Sequence, residues 1–121
     1  MTESQSYIID VLNLVPDNSV CYIQAPSIEN MEFINLMKES PFEYFKQLAL
    51  NPENKKILIR LIETENVEDF FHNIEIRYNN QLLFEGYDGM EFGTVSKTLQ
   101  LPGSFKEKYI RGLMCVVSNE W

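Results

Sequence analysis

The sequence predicts an α+β fold, with N-terminal short helices packed on a mainly antiparallel sheet of about four to five strands formed mostly by the C-terminal half. Three observations carry that expectation. Apolar residues recur at helical spacing through most of residues 3–62, apart from the strand-like run Val20 to Ile23, then alternate from Ile74 onward as they do in strands. Turn residues punctuate the second half at Asn79-Asn80, Tyr87-Asp88-Gly89 and Leu101-Pro102-Gly103. The length of 121 residues, 45% of them hydrophobic, suits one domain, 1–121, and surface scaling gives roughly 6,800 Å² folded against about 20,600 Å² unfolded. A core of that extent holds without metal or disulfide staples.

Each element follows from local chemistry. Thr2-x-x-Gln5 has the form of a capping box, and Ile8, Val11, Leu12 and Val15 follow on one face, so residues 3–14 read as an amphipathic helix ended by Pro16-Asp17-Asn18. Val20-Cys21-Tyr22-Ile23 is a short run of strand formers before Ala25-Pro26, expected at a sheet edge. Ser27 is placed to cap a helix carrying Phe33, Leu36 and Met37, and Ser40-Pro41-x-Glu43 to start another. Asn51-Pro52 repeats the cap and proline for a helix burying Ile57, Leu58, Leu61 and Ile62 and exposing Lys55, Lys56 and Glu63. Val67, Phe70 and Phe71 keep helical spacing for one more turn.

A strand is expected at 73–78. A strict two-residue turn at Asn79-Asn80 would set Leu82 opposite Arg77, whereas a three-residue loop, 79–81, pairs Tyr78 with Leu82, Ile76 with Phe84 and Ile74 with Gly86 on one apolar face. Glu75 and Glu85 then lie staggered on the solvent side beside Arg77. Phe92 to Leu99 reads as a third strand. Ser104-x-x-Glu107 resembles a capping box, Lys108 and Arg111 suit a helix C-terminus, and Gly112 suits the C′ position. Leu113 to Ser118, apolar almost throughout, reads as a central closing strand.

Ten Lys plus Arg against eighteen Asp plus Glu give a net charge of −8, which argues against nucleic acid and anionic membrane surfaces as partners. The charge is concentrated. Residues 63–91 hold Glu63, Glu65, Glu68, Asp69, Glu75, Glu85, Asp88 and Glu91 against Arg77 alone. Such a field steers a basic partner, or only keeps a solvated face soluble.

Catalytic signatures are missing. His72 has no nucleophile context, Cys21 and Cys115 sit in separate apolar runs as buried free thiols, and no zinc, phosphate-loop or calcium motif occurs, so no cofactor or metal is expected. Glu75 with Glu85 is the one carboxylate pair to weigh as an acid and base, and exposed acids beside Arg77 ionise without tuning. The chain reads as a non-enzyme. Tyr87 is either an interface anchor or a half-buried turn tyrosine, and Trp121 either a lid on the sheet or an exposed contact. The N-terminal residues lack the basic stretch of a signal peptide and no apolar run reaches membrane length, which together predict a cytoplasmic protein.

The stretch Tyr87-Asp88-Gly89-Met90-Glu91-Phe92-Gly93-Thr94-Val95-Ser96 and the closing Phe105-Lys106-Glu107-Lys108-Tyr109-Ile110 resemble the small cytoplasmic immunity proteins of bacterial polymorphic-toxin and contact-dependent inhibition systems. That resemblance implies a role: binding one cognate toxin domain, commonly a basic nuclease, and covering its active site. It carries over no residue by position. The charge distribution independently nominates Glu65, Glu68, Asp69, Glu85, Tyr87, Asp88 and Glu91 as partner-binding residues of a monomer in a one-to-one complex. The alternatives are an acidic secretion chaperone that holds an effector segment as a dimer, and a small hydrolase working through Glu75, Glu85 or His72.

Overall fold

The structure is a computed structural model describing residues 1–121. In chain order the elements are α1 (Glu3–Leu14), β1 (Ser19–Gln24), α2 (Met31–Leu36), β2 (Lys38–Glu39), β3 (Lys46–Leu50), α3 (Pro52–Glu65), a 3-10 turn (Val67–Phe70), β4 (Asn73–Tyr78), β5 (Gln81–Tyr87), β6 (Phe92–Val95), α4 (Gly103–Phe105) widening into a π-turn (Lys106–Ile110), and β7 (Cys115–Val117). The seven strands form one sheet, ordered β2-β3-β1-β4-β5-β6-β7. Every pairing is antiparallel except β6 with β7.

One face of this sheet is covered and the other is open. Cys21, Ile23, Leu48, Leu50, Ile74, Ile76, Phe84 and Val95 are buried on the covered face, part of one cluster of 25 buried hydrophobic residues. α1 packs there: the Tyr7 ring meets Phe84 edge-on at 5.8 Å and stacks on Tyr109 of the π-turn at 4.9 Å. α3 lies beside α1 and buries Leu58, Leu61 and Ile62, while Phe33 of α2 meets Phe71 at 5.7 Å. The alternate residues of the strands, among them Val20, Tyr22, Glu75, Arg77, Glu85, Tyr87, Thr94 and Val116, form the other face, and none of these is fully buried. No helix is long and apolar enough to cross a membrane.

Several expectations are met at the level of single hydrogen bonds. The Thr2 hydroxyl accepts from the Gln5 amide at 3.1 Å and the Gln5 side chain accepts from Thr2 N–H at 2.8 Å, closing the capping box of α1. Asn51 caps α3 by accepting from Asn54 N–H at 2.8 Å, with Pro52 as its first residue. β4 occupies residues 73–78 as read.

Other expectations are corrected. The sheet has seven strands rather than four or five, and the helices are not all N-terminal, since the helix expected from Ser104 onward occurs as α4 and its π-turn. β1 is interior, because residues 46–50 form a strand on its other side where a helix is expected. Ser40 does not cap that helix: its hydroxyl accepts from Phe42 N–H at 3.0 Å, two residues on, and Tyr44 has φ +70, which breaks a helical path. The cap of α2 is Asn30, accepting from Phe33 N–H at 2.9 Å, not Ser27. Lys55 is largely covered, its ammonium donating to Asp17 at 3.1 Å and to the Val15 carbonyl at 3.4 Å.

The β4–β5 hairpin resolves a conflict between turn and register. Asn79 and Asn80 form the two-residue turn, both left-handed (φ 50 and 63), while a bulge shifts the register between Ile76 and Arg77. Leu82 therefore opposes Arg77 and Gln81 opposes Tyr78, yet Ile76 still meets Phe84 and Ile74 meets Gly86. Glu75 and Glu85 are direct cross-strand partners instead of staggered ones. β6 stops at Val95, since the Ser96 hydroxyl accepts from Thr98 N–H at 3.1 Å and turns the chain. The expected capping box at Ser104 is not formed, and Leu113, not Gly112, takes the positive φ of 65. Gly112 is required for a different reason: a Cβ there would collide with the Lys108 carbonyl. β7 lies at the edge, parallel to β6, with Val116 and Val117 exposed, rather than in the centre.

Candidate functional site

Two turns at one end of the sheet bring the acidic segment together. α3 ends at Asn66, left-handed at φ 52, whose side-chain oxygen accepts from Gln5 Nε2. The same Gln5 nitrogen donates to the Ile62 carbonyl at 2.9 Å, so α1 clamps the end of α3 and aims the chain into the 3-10 turn. The second turn follows β5: Asp88, Gly89 and Met90 all have positive φ, and Met90 is fully buried beneath them. The turns are stitched by backbone bonds, Asp88 N–H to the His72 carbonyl at 3.1 Å and Gly89 N–H to the Phe71 carbonyl at 2.8 Å. A Cβ on Gly89 would come within 3.3 Å of the Asp69 carbonyl, at a φ of +67 that only glycine adopts freely.

Glu65, Asp69, Asp88 and Glu91 are exposed on these two segments. Glu85 and Tyr87 are half-buried on the adjoining open face, where the Tyr87 hydroxyl donates to Glu85 Oε2. Burial, with the Glu85 hydrogen bond and charge, pushes the Tyr87 phenol up to about 12. Six of the seven nominated residues thus face solvent or the open face. Glu68 does not: it is 1% exposed, held inward by the 3-10 turn, and its Oε1 has no hydrogen-bond partner. Burial raises its carboxyl to about 7.

Six of the protein's ten basic residues are committed to ion pairs elsewhere. Its six ion pairs neutralise Glu39, Asp17, Glu32, Glu75, Asp10 and Glu107, and none involves Glu65, Glu68, Asp69, Glu85, Asp88 or Glu91. The site is a surface, since none of these residues lines any of the five cavities of the molecule. His72 is exposed and uses its backbone to hold Gln24 and Asp88. Cys21 and Cys115 are buried free thiols on strands separated by β4, β5 and β6. Trp121 is half-buried at the far corner, beside Gln81 and Leu82.

Three aromatic residues, Tyr22, Phe42 and Phe92, join Arg77 on the open face without being nominated by the sequence reading. Phe42 meets Tyr22 at 4.8 Å, and the Arg77 guanidinium lies 5.6 Å from the Phe42 ring centre while bonding Glu75 at 3.2 Å. Phe92, 40% exposed, pairs across strands with Tyr87. The alternation of Ile74, Ile76 and Tyr78 in β4 signals that Glu75 and Arg77 share a face; nothing local signals that Phe42 crosses onto it. Compared with known proteins, the sequence matches no family model and no curated protein, and the fold matches no solved structure.

Proposed function

We propose that this chain is a protein inhibitor that binds one basic protein domain through the acidic end of its sheet, in the manner of an immunity protein neutralising a toxin. The observation that carries this reading is the unpaired state of the acids on the two stitched turns, while six of the ten bases are paired with other carboxylates. Desolvating an acid already paired with lysine gains little on binding, whereas an unpaired one keeps its full attraction for a basic partner. Asp69 and Asp88 form the centre of that field, Glu65 and Glu91 its flanks, and Glu85 with Tyr87 the adjoining ordered contact. Substituting for nucleic-acid phosphates in the groove of a basic nuclease would be one use of such a surface. The resemblance of residues 87–96 and 105–110 to immunity proteins points the same way.

The test is capture with tagged protein from the native host at low and high salt, followed by mass spectrometry and sizing of the recovered complex. One basic partner in one-to-one ratio, released by salt, is the expected result. A dimer of this chain holding an unfolded segment would replace the inhibitor by a chaperone, for which the exposed Leu113, Val116 and Val117 around β7 would be the contact.

A further inference from the structure

Resting on that reading, we infer that the open sheet face holds a receptor for one arginine side chain of the partner, built from Glu85, Tyr87 and Phe92. The same face already contains one arginine bound in this way. Arg77 lies over the Phe42 ring, with its centre 5.6 Å away, and donates through Nε to Glu75 at 3.2 Å. Carboxylate in the plane of the guanidinium and aromatic ring against its flat side are the two contacts that suit arginine better than lysine.

One strand over, the same parts recur without their cation. Glu85 is the direct partner of Glu75, and Phe92 is the direct partner of Tyr87. Glu85 accepts from the Tyr87 hydroxyl and forms no ion pair, Arg77 being engaged by Glu75. Two carboxylates set opposite one another on adjacent strands repel, and one arginine neutralises only half of that charge. Phe92 stays 40% exposed on a face that no helix covers, so an incoming side chain reaches the ring without rearrangement. A partner surface presenting an arginine ringed by apolar residues is what this half of the face complements, and contacts of this sort are where binding energy concentrates.

The test uses isotopically labelled full-length protein titrated with two peptides of equal charge, acetylated and amidated hexa-arginine and hexa-lysine, followed by NMR. The expected result is binding of both, with hexa-arginine about tenfold tighter and shifting the amides of Glu85, Tyr87, Phe92 and Thr94. Glu85→Gln and Phe92→Ala should each erase that preference, Phe92→Tyr should keep it, and Asp88→Asn should weaken both peptides alike. Equal affinities for the two peptides, or a preference that survives Glu85→Gln and Phe92→Ala, would overturn the arginine receptor alone. Binding of neither peptide would overturn the acidic-surface reading and the receptor with it.

Discussion

Replacing Glu68 by glutamine isolates the one acid that the structure buries. Glu68 is 1% exposed with an unpartnered Oε1, and burial, helped by the charge of Asp69, lifts its pKa from 4.5 to about 7. In the unfolded chain the carboxyl ionises near 4.5, so between pH 4.5 and 7 the folded protein keeps a proton that the unfolded protein has lost. Stability must therefore fall as pH rises through that window and level off above it. The separation corresponds to roughly 3 kcal/mol at 25 °C. Glutamine has no such titration, but its amide hydrogens need acceptors, and leaving them unmet costs about 1–2 kcal/mol at every pH. Glu68→Gln should thus be less stable than the parent by that amount near pH 4.5 and more stable by about 1–2 kcal/mol at pH 8. Urea titrations in half-unit pH steps measure this, and other groups that titrate in the window cancel in the difference. Parallel stability curves for parent and variant would show that Glu68 ionises normally in the folded protein and would refute the burial argument.

Two further substitutions probe how the fold positions the site. Gly93→Ala would set a Cβ 2.7 Å from the Glu85 carbonyl and against the Tyr7 hydroxyl, so β6 must shift; a loss of about 1–3 kcal/mol in urea unfolding is expected, and a loss under about 0.5 kcal/mol would mean that this strand yields freely. Asn51→Ala removes the side-chain cap of α3 and should lower stability by about 1 kcal/mol with an unchanged urea slope; no loss would place the start of α3 under the control of Pro52 alone.

What the sequence made legible was the chemistry that acts within a few residues. The capping box of α1, the Asn51 cap and Pro52 of α3, and the alternation in β4 lead to the observed elements because their determinants are local. Ser40-Pro41-x-Glu43 misleads because the same residues that start helices also make turns, and what decides is tertiary: Leu48 and Leu50 fill the core beside Cys21 and Ile23 once β3 pairs with β1. At the hairpin, two local rules conflicted, turn preference and apolar register, and the bulge satisfies both. The apolar run of β7 predicts a central strand, but a three-residue strand reached by a parallel crossover ends the sheet and leaves Val116 and Val117 in solvent. Of the site, the acidic stretch was visible in the charge pattern. That its two turns are stitched together was not, since those bonds join backbone atoms of residues far apart in sequence. The inward position of Glu68 is not legible, because the helical spacing of Val67, Phe70 and Phe71 does not tell which way a tight 3-10 turn faces its second residue.

The most direct test of the acidic interface is the association rate of the captured partner with the parent and with the double reversal Glu85→Lys and Asp88→Lys, measured across ionic strength, with circular dichroism to verify folding. Steering by unpaired carboxylates predicts a parent rate that drops steeply with salt and a reversal that is slower by about tenfold or more at low salt, the gap closing as screening rises. Equal rates for the two proteins at low salt, with full protection against the partner's activity by the double reversal, would contradict it.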